Sequence, residues 1–115
     1  MDYETAYNLL ISQGNALFKP GSEDDLLRRL QTGKPPIPGQ VTSILLALKI
    51  IFEALQGDET VERQLALAVY SIAIESQRLF VAGERSGVDW PPLLKEDLYR
   101  ISLGVQSLFS GTWQT

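Results

Sequence analysis

The stretch VTSILLALKIIFEALQGDETVERQLALAVYSIAIESQRLFVA, residues 41–82, decides the fold class. Its first part, from about Val41 to Gln56, sets Ile44, Leu45, Leu46, Leu48, Ile50, Ile51, Phe52 and Leu55 on nearly every side of a helical wheel. A helix apolar all round is one packed among other helices. The densest run, Ile44 to Leu55, is interrupted by Lys49 and Glu53 and falls short of the roughly twenty residues that cross a bilayer. It therefore predicts a core helix and no membrane span. Gly57-Asp58 closes that helix, and Asp58 or Thr60 is placed to cap the next. The second helix carries Leu65, Leu67, Val69, Tyr70, Ile72, Ile74, Leu79, Phe80 and Val81 to about Gly83. A loop of roughly two to four residues between two such helices implies an antiparallel hairpin.

Toward the N-terminus, Lys34-Pro35-Pro36-Ile37-Pro38-Gly39 cannot be helical, because proline lacks a backbone donor and biases its predecessor to extended geometry. Before this stiff linker, Ser22 stands three residues ahead of Asp25 in a capping-box-like start. Arg28 and Arg29 suit the end of the same helix and Gly33 its C-cap, which predicts a short helix over 22–31. Tyr7, Leu10, Ile11, Leu17 and Phe18 predict a first helix over 3–18, ended by Lys19-Pro20-Gly21. Toward the C-terminus, Gly83, Gly87 and Trp90-Pro91-Pro92 break the chain. Leu93, Leu94, Leu98, Ile101, Val105, Leu108 and Phe109 then keep a helical stripe to Gly111. No period-two strand appears. The expectation is one all-α domain over 1–115, a bundle of about five helices around the central apolar hairpin.

The composition, 44% hydrophobic and 21% charged, is that of a chain able to bury a core. With 14 acidic against 10 basic side chains and no cluster of Lys and Arg, the footprint that neutralises phosphates is missing, so nucleic acid is not an expected partner. Cysteine and histidine are both absent. That removes disulfides, thiolate chemistry, zinc–cysteine sites and the base of most hydrolytic triads, and leaves only hard ions held by carboxylates. No cofactor is expected. Met1-Asp2-Tyr3-Glu4 lacks the positive start of a secretory signal, and a cysteine-free chain suits a reducing cytosol, so a cytoplasmic location is expected.

Several patterns invite chemistry. Gly33-Lys34 resembles the end of a phosphate loop, but the motif needs a glycine where Arg28 stands and Ser or Thr where Pro35 stands. The serines lack a histidine base and a strand-turn-helix setting. Bundle di-metal sites use Glu-x-x-His, which is absent. Lys49 could act as a buried amine; its stem covering apolar surface with the ammonium in solvent is the commoner arrangement.

If the hairpin folds back near position 58 and the last helix near position 88, Lys34, the linker prolines, Glu75, Arg78 and Arg100 gather at one end of the bundle, where cations would suit a small anionic ligand or an enzyme site. Trp90 then sits at the opposite end. Beside rigid prolines it could anchor a partner; alternatively Asp89 caps the last helix and Trp90 folds onto the core. The hairpin is more apolar than its neighbours easily cover. The expected function is accordingly non-catalytic: a helical interaction or scaffold protein acting as a homodimer.

Pro-Pro-Ile-Pro-Gly-Gln-Val-Thr-Ser at 35–43, the apolar helix after it and Val-Asp-Trp-Pro-Pro-Leu-Leu at 88–94 together resemble a group of small cyanobacterial proteins of uncharacterised function. The likeness covers most of the chain and implies the same all-helical fold. Some relatives carry the label dethiobiotin synthase, an ATP-dependent enzyme of biotin synthesis. This chain departs from that enzyme class in having no phosphate loop and no parallel α/β pattern, and the resemblance assigns no functional residues.

Overall fold

The Asp2 carboxylate accepts the Thr5 N–H at 2.8 Å and opens α1, Tyr3–Gly14. Hydrogen bonds from the Thr5 side chain and backbone hold that carboxyl below its ordinary range. The computed structural model describes residues 1–114 and contains four more helices: α2 (Leu26–Gln31), α3 (Gln40–Ala54), α4 (Arg63–Arg85) and α5 (Leu94–Ser110). No strand occurs among the described residues, and the chain forms one all-α domain.

Several helix ends differ from expectation because tertiary partners replace local ones. α1 stops at Gly14 rather than near position 18. The turns that follow give up the carbonyls of Ala16 and Lys19 to the Arg28 guanidinium, at 2.8 and 3.2 Å. α2 begins at Leu26 rather than at 22. The Ser22 hydroxyl serves only a local turn, accepting from Asp24 N–H at 3.0 Å. The N–H of Leu26, which has no partner within its own helix, is satisfied instead by Gln13 Oε1 of α1, at 2.9 Å, while Gln13 Nε2 donates to Asp25. A buried glutamine thus caps a neighbouring helix. Neither Asp58 nor Thr60 caps α4, which starts after Glu62, and α5 starts after Leu93 rather than Asp89.

The central apolar pair is not a side-by-side hairpin. The connection between α3 and α4 runs from Leu55 to Glu62, longer than expected, and crosses the bundle so that each helix packs along α1 and α5 instead of along the other. A turn over 55–57, with Gly57 at φ 86° and Asp58 N–H donating to Leu55 O, is followed by an irregular run to Glu62 that reaches across the bundle. Directions follow from paired levels. Tyr7 meets Glu62 and Gly14 meets Ala68, so α1 and α4 run parallel. Leu48 meets Gly104, and Phe52 shares a cleft with Leu108, so α3 and α5 also run parallel. Val81 and Glu84 face Lys95, which makes α4 and α5 antiparallel. The order around the bundle is α1, α3, α5, α4, with α2 laid on α4.

This ring explains why both apolar helices are needed. Leu10 of α1, Leu26, Leu27 and Leu30 of α2, Ile44, Leu48 and Ile51 of α3, Leu65, Val69 and Ile72 of α4, and Leu98 and Ile101 of α5 are all buried in one core. Two glycines permit the close approaches. A Cβ at Gly14 would overlap the backbone of Ala68, and one at Gly104 would lie 3.0 Å from Leu48 Cδ1.

Candidate functional site

Among the described residues, no ion pair between helices joins the residues expected to form an anionic-ligand site. Arg78 Nε pairs with Glu75 at 2.6 Å on the same helix, and Arg100 with Asp97 at 3.7 Å on its own. Lys34 is exposed and makes no ion pair among the described residues. Arg78 and Arg100 have thus found partners on their own helices, and Lys34 solvent. Among the described residues no group of three or more acids could hold a metal ion.

Trp90 lies at the end of the bundle that holds the proline linker, not at the opposite end. Gly33 comes within van der Waals reach of Val88, and Pro35 to Pro38 line a cleft with Pro91, Leu93 and Leu94. The cause is again topological: α2 lies on α4 and delivers the linker to the α4–α5 connection. Trp90 itself is buried. Its ring stacks on Phe80 with centroids 5.9 Å apart, its Nε1–H donates to Phe80 O at 2.9 Å, and it lies against Gly83, where a Cβ would overlap the indole. The tryptophan is a core residue with a satisfied donor.

Lys49 has a specific seat. Its ammonium stands 4.3 Å from the Trp113 ring centroid and 5.6 Å from that of Phe52, a cation–π contact that holds the chain end against α3. Ser107 reinforces this by accepting Gln114 N–H at 2.7 Å while donating to Leu103 O. Beside that strap, Leu45, Tyr99, Leu103, Gly104 and Trp113 line a cleft of about 410 Å³ with Arg100 and Glu96 at its edge. Trp113 was not singled out from sequence, since a lone tryptophan after the last helix has no periodic context.

The surface that stands out is the outward face of α4. Leu67, Tyr70, Ile74 and Val81 are 53%, 55%, 46% and 42% exposed. Their spacing of three, four and seven residues aligns them in one stripe, with Gln77 filling the remaining position. By contrast, α3 leaves only Leu46 among its large apolar side chains strongly exposed. The apolar surplus expected of the helix pair therefore belongs to α4. By length and composition α4 could also cross a bilayer, but half of its apolar window is buried inside the bundle. Beside the stripe, Val81, Leu98 and Tyr99 line a groove of about 210 Å³ between α4 and α5.

Comparison of the chain with protein-family models, with curated proteins and with solved structures finds no match.

Proposed function

We propose that this is a non-catalytic helical interaction or scaffold protein that acts as a homodimer in the cytoplasm. One observation carries the reading: four large apolar side chains, Leu67, Tyr70, Ile74 and Val81, form an outward stripe interrupted only at Gln77, on a helix whose other side is already committed to the core. Monomeric proteins rarely leave such stripes in water, and a contiguous apolar patch marks an interaction surface. The polar groups support it by their engagement, since Glu75, Arg78 and Arg100 are all locally paired and Trp90 is internal. Light scattering after size exclusion at micromolar concentration tests the proposal. A mass near twice 12.8 kDa is expected, and a clean 12.8 kDa species overturns it.

A second reading, a small amphipathic anion held between helices, draws on the cleft between α3 and α5. There Arg100 lines a cleft together with the apolar Leu45 and Leu103. It predicts that aromatic or aliphatic carboxylates raise the thermal midpoint of the wild type and not of Arg100→Ala. An unmoved midpoint with such a panel removes this reading.

A further inference from the structure

We infer that the segment Thr112–Gln114 is a hinged lid over the groove between α3 and α5, opening and closing as one body, with Lys49 and Ser107 as its two latches. The inference stands apart from the self-association proposed above. It also needs no ligand in the cleft that Arg100 lines, so either reading can fail without the other.

The pivot is Gly111. It turns the chain at φ 76°, in the left-handed region, and a Cβ there would meet no atom within 4 Å. No neighbour crowds the turn. Beyond it, Gln114 Nε2 donates to Thr112 O at 3.0 Å, which ties the segment to itself.

The far side of the lid is held from two helices. Lys49 of α3 makes no ion pair among the described residues, although Glu53 stands four positions on. Its ammonium sits 4.3 Å from the Trp113 ring centroid instead, and the Phe52 ring meets the same indole at 5.2 Å with the planes 60° apart. Ser107 of α5 is fully buried; its hydroxyl accepts the Gln114 N–H and donates its own proton to Leu103 O, both at 2.7 Å. Opening therefore orphans no buried donor, because the hydroxyl keeps Leu103 O while the Gln114 N–H and the ammonium pass to water. Two modest contacts on a half-exposed segment release well below global unfolding.

The groove beneath gives the opening a consequence. Trp113 and Gln114 wall the cleft of about 410 Å³ together with Leu45 and Leu103. Phe52, Leu108 and Gly111 line a second cleft of about 280 Å³ farther along the same two helices. The Trp113 ring on Phe52 stands between them. Lifting the lid joins the two clefts into one apolar trough, whose occupant in the closed state is the chain's own indole.

Hydrogen exchange and fluorescence of the full chain test this, since neither latch touches the group that reports on the other. In the wild type the Gln114 N–H is expected to be protected only about tenfold, far less than the amides of Leu48 and Ile72 in the core. Lys49→Gln is expected to lower that protection about threefold, and Lys49→Arg, which also stacks on aromatic rings, to retain it. Ser107→Ala is expected to raise acrylamide quenching of Trp113, with the buried Trp90 as the unquenched remainder. Lys49→Gln and Ser107→Ala are both expected to brighten the neutral dye Nile red above its wild-type signal. Unchanged Gln114 protection in Lys49→Gln, with unchanged quenching in Ser107→Ala, means that the contacts break separately and overturns the inference. Wild-type protection at Gln114 equal to that at Leu48 and Ile72 means that the segment opens only with the whole bundle, and overturns it too. A dye signal at the wild-type level in both variants has the same consequence, because an open lid bares the trough.

Discussion

The two faces of α4 are built from the same kinds of residue at the same spacing, yet they meet opposite environments. Leu65, Val69, Ile72 and Leu79 follow a three-and-four pattern and are buried; Leu67, Tyr70 and Ile74 follow it two residues out of step and are half-exposed. The first face is covered by α1, α2 and α5, and no neighbour covers the second. Apolar periodicity therefore identifies the helix without saying how much of it the fold can use. What remains outside is available for another molecule.

The largest expected effect breaks that comparison directly. Ile72→Ala should cost about 2–5 kcal/mol in urea unfolding, from lost transfer free energy and a residual cavity. Ile74→Ala, two residues away, should cost less than about 0.5 kcal/mol at concentrations where the chain is monomeric. Equal losses at the two positions would mean that the inward and outward faces are wrongly assigned.

Gly14→Ala should cost about 1–3 kcal/mol, because the new Cβ overlaps the Ala68 backbone and α1 must move away from α4. A stability loss under about 0.3 kcal/mol would show that the covered face tolerates separation. The two tryptophans sharpen the same contrast at smaller scale. Trp90→Phe removes the donor to Phe80 O and should cost about 1 kcal/mol beyond any packing loss. Trp113→Phe keeps an aromatic ring over Lys49 and should cost less. Iodide should quench the fluorescence of Trp113 and leave that of Trp90 nearly untouched; equal quenching would place Trp90 outside the core.

The smallest effect concerns the exposed cap of α1. The Asp2 carboxyl is held below its ordinary range, so its contribution is present above its unfolded value of 3.8 and is lost as the pH falls through the lower folded value. A slight fraying of α1 should appear below about pH 3.8, and Asp2→Asn should remove that pH dependence. A wild type and Asp2→Asn with the same acid profile would show that the cap does not titrate with folding.

Much of the architecture was legible because local rules were strong. The linker prolines, the break at Trp90-Pro91-Pro92 and the continuous apolar run at 44–55 mark where helices can and cannot be, and the five helices lie where those signals put them. Where the reading differed, a distant residue had replaced a near one. Gln13 supplies the cap that Ser22 was expected to give, and Arg28 holds the carbonyls of Ala16 and Lys19 in the turns after α1. The expected cluster of Lys34, Glu75, Arg78 and Arg100 required α3 and α4 to be neighbours. Nothing local forbids that pairing, and the long connection from Leu55 to Glu62 lets the chain choose the diagonal. The aromatic seat of Lys49 against Trp113 was not legible, because Trp113 lies more than sixty positions away in the chain.

By itself the sequence determined that this is an all-α chain without cysteine or histidine chemistry, because helix propensity, proline placement and residue type act locally. Only the tertiary structure decided which of two equivalent apolar stripes on α4 faces inward. That choice depends on how α1, α2 and α5 crowd one side of the helix, and on the absence of a side chain at Gly14 that lets α1 come close. Burial is a property of the neighbours as much as of the residue, so the stripe left in solvent becomes visible only when the neighbours are in place.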